Sequence, residues 1–425
     1  MSAVLGGCSR CGSSGEGSGG EAPEDQPADR IDGTAAGEHQ PTEGKVLLVA
    51  QSTFTRDDQG RWVRPDAAKL LIFRHQGGAW SREEIVDSDS NVFHKGMVFG
   101  DGAILTIGGD QAALKLWRNS GGEWHAETVW QPSFGGQRNR LRDVEVANFD
   151  GGDPEIVLAT HDQGVVAVVR RTSAGWEPME LDREPDTFVH EVEVGDVDGD
   201  GTPEVYSTPS RPNLGTGGAQ PGKIKRYRWT GTGFESDVVA QWDTRHAKEV
   251  LVADLDGNGR PELYAALEGE TEAGSGPGGR LVEPAEIVRL TSTESGWTSE
   301  VVGVIPDERQ CRFLMAGDLD GDGRSELIAA AFTTGIWMLE PGTSLPWSIT
   351  NLTRSTGGFE HASLLADMDG DGALELFVAD DAHGRLVRFT WQDGRLSAPE
   401  VIATRATPQS AMTWNLWVAD LETAR

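Results

Sequence analysis

The sequence predicts an all-β protein in which one four-stranded unit recurs seven times around a closed ring. Three observations carry that prediction. An acidic nine-residue segment occurs four times, as Asp196-Val-Asp-Gly-Asp-Gly-Thr-Pro-Glu204, Asp254-Leu-Asp-Gly-Asn-Gly-Arg-Pro-Glu262, Asp318-Leu-Asp-Gly-Asp-Gly-Arg-Ser-Glu326 and Asp367-Met-Asp-Gly-Asp-Gly-Ala-Leu-Glu375. Each copy lies between two short apolar runs of strand length, such as Val192 to Val194 before the first and Glu204-Val-Tyr after it. No long stretch repeats apolar residues every three or four positions, while 55 glycines and 20 prolines punctuate the chain at its turns.

The acidic segment has the residue types a hard cation needs. Ca2+ takes about six to eight oxygen ligands in a flexible shell. Oxygen side chains stand at positions 1, 3, 5 and 9: Asp196, Asp198, Asp200 and Glu204; Asp254, Asp256, Asn258 and Glu262; Asp318, Asp320, Asp322 and Glu326; Asp367, Asp369, Asp371 and Glu375. The peptide oxygen of position 7 (Thr202, Arg260, Arg324, Ala373) is a further candidate ligand. Glycine at positions 4 and 6 lets the chain reverse through backbone angles closed to other residues. Without a cation, so many carboxylates in one tight loop repel one another.

The other repeats follow from the same frame. Val144-Glu-Val-Ala-Asn-Phe-Asp-Gly-Gly-Asp-Pro-Glu-Ile-Val-Leu158 keeps both strands but is one loop residue short, and Met97-Val-Phe-Gly-Asp-Gly-Ala-Ile-Leu-Thr-Ile107 keeps the strands without the ligands. Trp414 to Leu421 reads as a strand before a loop at which the chain stops, and Lys45 to Ala50 reads as a second strand lacking its first. Position 1 falls at Gly100, Asn148, Asp196, Asp254, Asp318, Asp367 and Asp420, a spacing of roughly 50 to 65 residues that suits propeller blades and their loops. The expected fold is therefore a seven-bladed β-propeller over residues 45–425, its first blade closed by the C-terminal strand. Four cations are expected, not seven.

Across residues 45–421 the sequence resembles the FG-GAP or VCBS repeat family, the calcium-loop propellers typified by the integrin alpha-subunit head. The four full loops carry the resemblance. It implies calcium as the cofactor, and it leaves the ligand open because propellers serve as adhesion heads, lectins, scaffolds and enzymes.

Composition narrows the setting. The net charge is −31, from 37 basic and 68 acidic side chains, and fifteen of the acids occupy the four loops. Such a surface argues against nucleic acid or an acidic membrane as a partner. Residues 1–44 are Gly-, Ser- and acid-rich with almost no large apolar residue, a composition that reads as a tether. Within it, Leu5-Gly-Gly-Cys8 resembles the lipobox of bacterial lipoproteins, which implies a lipid on Cys8, with the rest of the signal supplied by an upstream start. The alternative is an incidental pair of Cys8 and Cys11. Weak carboxylate calcium sites fill outside the cytoplasm, where calcium is near millimolar. The expectation is thus an exported, monomeric protein at the cell surface, outer membrane or periplasm.

Two features mark the face opposite the acidic loops. Three long connections fall there, Gln51 to Ala68, Ser207 to Gly222 and Glu268 to Pro284, and the first brings Phe54, Arg56, Arg61, Trp62 and Arg64 to an acidic protein. Six residues before each position 1 stand His94, Arg142, His190, Lys248, Arg312, His361 and Trp414, six of them cationic or imidazole. The expectation is a ring at the mouth of the central channel that selects an anionic ligand. Two function classes stay open. One is a non-catalytic module that binds carbohydrate or protein. The other is an enzyme at the channel mouth acting on an anionic sugar, for which a resemblance to calcium-loop propeller lyases and dehydratases implies proton transfer by these histidines.

Overall fold

The computed structural model describes residues 44–421, except 61, 101, 110, 137, 138, 162, 213–216 and 276–278, and describes no side chain for 62–64. The tether, Cys8 and Arg61 lie outside the described residues.

Seven antiparallel sheets form the blades of a propeller. In blade 4 the innermost strand, Phe188–Gly195, is followed outward by Glu204–Ser210, Gly222–Trp229 and Phe234–Trp242. The innermost strands of blades 2, 3, 5, 6 and 7 are Phe93–Phe99, Leu141–Ala147, Ala247–Ala253, Cys311–Gly317 and Ser363–Ala366. Each touches the innermost strands on either side, and the sequence of contacts returns to its start.

Blade 1 joins the two ends of the folded chain. Its innermost strand is Ala411–Asp420, which pairs with Lys45–Arg56 in the register Lys45↔Asp420, Leu48↔Trp417 and Thr53↔Ala411. The first strand then serves two neighbours through its two-residue period. Val46, Leu48 and Ala50 pack with Phe93 and Ile104 of blade 2, while Leu47 and Val49 pack with Phe377 and Ala379 of blade 7. Every interface between blades has its own apolar cluster of this kind. The core of the molecule is therefore a set of seams between sheets.

Tryptophans fasten the same seams from outside. The indoles of Trp80, Trp124 and Trp176, on the outermost strands of blades 1, 2 and 3, donate to Glu400, Glu83 and Glu127 of the preceding blade at 2.8, 3.2 and 3.0 Å. Arg226 and Arg388 sit over Trp297 and Trp80 of the following blade at 5.4 and 5.9 Å. The Trp80 contacts bridge blades 7 and 1, where the ring closes.

Two of the long connections contain paired strands among the described residues. Lys45–Arg56 runs on into a hairpin with Trp62–Pro65, and Glu270–Thr271 pairs with Leu281–Glu283. The second connection rests on the third, since the Gly218 amide donates to the Thr271 carbonyl at 3.1 Å.

Candidate functional sites at the two ends of the channel

The acidic loops share one internal geometry. Position 1 accepts backbone amides from the far side of its own loop: Gly199 and Gly201 donate to Asp196 at 2.7 and 2.9 Å, and Gly321 and Gly323 to Asp318 at 2.8 and 2.9 Å. Position 5 accepts the amide of position 7, as in Thr202 to Asp200 at 2.8 Å and Arg260 to Asn258 at 2.8 Å. Position 9 reaches back across the loop, so that Val197, Leu319 and Met368 donate to Glu204, Glu326 and Glu375 at 3.1, 2.9 and 2.7 Å. Gly199 and Gly201 hold φ of 77° and 93°, the left-handed angles the turn requires.

This bracing draws carboxylates together. Asp318, Asp320, Asp322 and Glu326 bring oxygens within 4.8 Å of one another, as do Asp196, Asp198 and Glu204, and Asp367, Asp369 and Asp371. Glu204, Glu326 and Glu375 are each pushed up to about 7 by burial and by neighbouring loop carboxylates. Groups so reluctant to carry charge unaided fit a divalent cation, which would restore the charged form. The loop of Asp254, Asp256, Asn258 and Glu262 keeps the same turn without drawing its three acids that close. The short third copy is different, because the Asn148 amide donates to the Gly152 carbonyl at 2.6 Å and occupies its own loop.

At the other end of the inner strands, about 20 Å away for six extended residues, the side chains expected to ring the channel mouth are mostly buried. His94, His190, Lys248, Arg312 and His361 are buried and Arg142 is half-buried. Nor is the ring a plain circle of cations. Glu360 of blade 7 lies 3.4 Å from Arg142 and 3.8 Å from Arg312, and Arg312 lies 3.4 Å from Glu268. Buried cations draw in carboxylates because isolated charges are costly there.

The histidines divide into two kinds. His361, at φ 56°, donates Nδ1–H to the Ala331 carbonyl at 2.7 Å and accepts from Thr356 at 3.0 Å, so both its nitrogens are used. His94 donates Nδ1–H to the Leu141 carbonyl at 2.6 Å, which leaves Nε2 as a buried lone pair without a partner. Two further histidines escape a reading confined to one repeat position. His161 stacks on Phe188 at 4.4 Å and lies 4.9 Å from the His190 ring, and His246 lies 3.8 Å from Glu268; neither has a hydrogen-bond partner on either ring nitrogen among the described residues. They stand just beyond strand ends, at the same mouth.

Electrostatics reflect this crowding. Burial, then nearby cations, hold His94, His161 and His190 well below the ordinary imidazole range and push His246 down to about 2. Lys248, in hydrogen-bond contact with His190 Nε2, is pushed down to about 7, first by burial and then by Arg312 and Arg142 against the opposing pull of Glu268 and Glu360. Deeper along the strands the charge reverses. Lys95 lies among Asp143, Glu145 and Glu191, and burial raises Glu191 and Glu193 and pushes Glu249 up to about 8.

Comparison with known proteins supports the repeat and the fold. The model of the FG-GAP-like repeat matches residues 318–378, from the acidic loop of blade 6 to the second strand of blade 7. A crystal structure of a protein from Lactobacillus plantarum aligns with a TM-score of 0.57 at 12% identity, over 89% of this chain and 100% of that one. A putative 6-phosphogluconolactonase from Bacteroides uniformis aligns with a TM-score of 0.55 at 11% identity, over 89% and 99%. At such identity the likeness is one of fold. No curated protein sequence matches. The chain is a seven-bladed β-propeller in which residues 318–378 match the FG-GAP-like repeat.

Proposed function

We propose that this protein is a calcium-loaded, non-catalytic binding module that contacts a carbohydrate or protein ligand through the face opposite its acidic loops. The observation that carries the reading is the brace of the loops, in which positions 1 and 5 of each full copy, and position 9 of three of them, turn their oxygens inward on backbone amides. Asp196 to Glu204, Asp254 to Glu262, Asp318 to Glu326 and Asp367 to Glu375 would hold the ions. Four bound calcium ions would cancel eight of the fifteen loop charges and fix the turn between the two inner strands of the four blades that carry a full loop.

That division leaves the other face for recognition. It bears the three elaborated connections, and binding residues concentrate on loops held by a rigid scaffold. A setting outside the cytoplasm, with a lipid on Cys8, suits loops that fill at millimolar calcium. Mass spectrometry of the mature N-terminus tests the anchor.

The experiment for the function is a glycan array and a surface-protein capture with calcium-loaded protein, beside a variant in which the tip at residues 57–61 becomes a two-residue Asn-Gly turn. Saturable binding that the variant loses at an unchanged melting temperature supports the reading. Binding unaffected by both the tip replacement and calcium removal rejects it.

A further inference from the structure

We infer that the mouth of the channel opposite the acidic loops binds a small hydroxylated carboxylate, of the sugar-acid class, between Arg142, His161, His190 and Lys248, with His94 accepting from a ligand hydroxyl. The inference does not rest on the calcium reading, whose residues lie at the other end of the inner strands.

The first ground is gathered positive charge. Among the described residues Arg142, Lys248 and Arg312 meet around Glu360 and Glu268 at the mouth. The attraction of such cations for an anion strengthens as water is excluded.

The second ground is the set of buried nitrogens. Buried polar atoms are almost always paired, so each exception calls for an explanation. Here Nε2 of His94, Nδ1 of His190 and both ring nitrogens of His161 lack hydrogen-bond partners among the described residues, on side chains more than nine-tenths buried. Their roles differ. His190 accepts from the Lys248 ammonium at Nε2 and so presents Nδ1–H as a donor, His161 offers one donor and one acceptor, and His94 presents a lone pair alone. A bare oxyanion satisfies only the donors. A carboxylate carrying hydroxyls satisfies both kinds.

The third ground is the rim. Phe359 is 44% exposed beside Arg312, whose guanidinium lies 5.7 Å from its ring, and Phe332 lies 5.9 Å from it. Apolar ring faces beside a few convergent polar groups are the usual make-up of a small-molecule site.

The test is calorimetry on the calcium-loaded full chain with D-glucuronate, D-glucose, acetate and inorganic phosphate. Glucuronate is expected to bind at least about tenfold tighter than the other three, a difference of about 1.4 kcal/mol. Lys248 faces His190, His161, His246, Arg142, Arg312, Glu268 and Glu360, and a further anion beside it favours its charged form. Binding near pH 8 should therefore take up protons, read as an enthalpy that changes with the buffer. His161→Phe, which keeps the stack on Phe188, and Lys248→Met should each weaken binding at least about tenfold with calcium content unchanged. If Lys248→Met fails to fold, His161→Phe decides. Glucuronate that does not saturate by about 10 mM, equal affinity for phosphate, or full affinity in His161→Phe would overturn the inference.

Discussion

The carboxylate of Glu360 lies 3.4 Å from the guanidinium of Arg142, although the two are 218 residues apart and their blades, 7 and 3, are not neighbours in the ring. The ion pair therefore spans the channel mouth. With Arg312 on the same carboxylate it ties three blades together at one point. Glu360→Gln should leave the buried Arg312 and the half-buried Arg142 short of a counter-charge, costing about 3 kcal/mol. Denaturant unfolding checks this. An unchanged midpoint would mean that the pairs are replaced by water.

Calcium should be required for full stability. Calorimetry in calcium and in chelator is expected to separate the melting temperatures, because a ligand that binds only the folded chain at a hundred times its dissociation constant adds about 2.7 kcal/mol. Elemental analysis should find about four ions, one for each full loop. Asp318→Ala should weaken one site and leave the others. No ion together with an unshifted midpoint would reject the sites.

Ring closure makes its own prediction. Removing residues 412–425 strips the innermost strand from blade 1 and bares the edge of Lys45–Arg56, so the shortened chain should aggregate. Trp80→Phe is a milder probe of the same seam. It loses the indole bond to Glu400 and should cost about 1 kcal/mol without changing the fold. A truncated chain that stays monomeric and equally stable would mean the pairing is dispensable.

The two kinds of histidine should separate in mutants. His361→Ala orphans the Ala331 carbonyl and the Thr356 hydroxyl and should cost about 2 kcal/mol. His161→Phe, with no hydrogen bond to lose, should change stability by less than about 1 kcal/mol. Chemical denaturation of both variants decides, and an equal loss in both would undo the distinction.

The pH dependence has a definite sign. The buried imidazoles of His94, His161, His190 and His246 resist protonation in the folded chain and accept it when unfolded, so stability should fall as pH drops below about 6.5. Lys248, at about 7 when folded, binds its proton more readily once unfolded, so its contribution should rise with pH from about 7 to about 10.4. Lys248→Met should accordingly stabilise most below pH 7 and least near pH 10. A constant difference across that range would mean that the lysine titrates normally.

The sequence by itself determined the fold, the number of blades, the closing strand and the four acidic loops. Each of these is a local pattern that recurs: nine residues of fixed type set a turn, two-residue alternation sets the faces of Lys45–Arg56, and repetition multiplies both. Tertiary structure alone decided what the opposite mouth is. Arg142, Glu268, Arg312 and Glu360 come from four blades, and no sequence period predicts which carboxylate reaches which guanidinium. The sequence marks His94, His190 and His361 as equivalent, yet only His361 has both nitrogens satisfied, because the neighbours that settle this, Leu141, Lys248, Ala331 and Thr356, follow no common spacing. His161 and His246 carry no repeat signal. Burial against other blades gives them their character, and burial arises only when the ring closes.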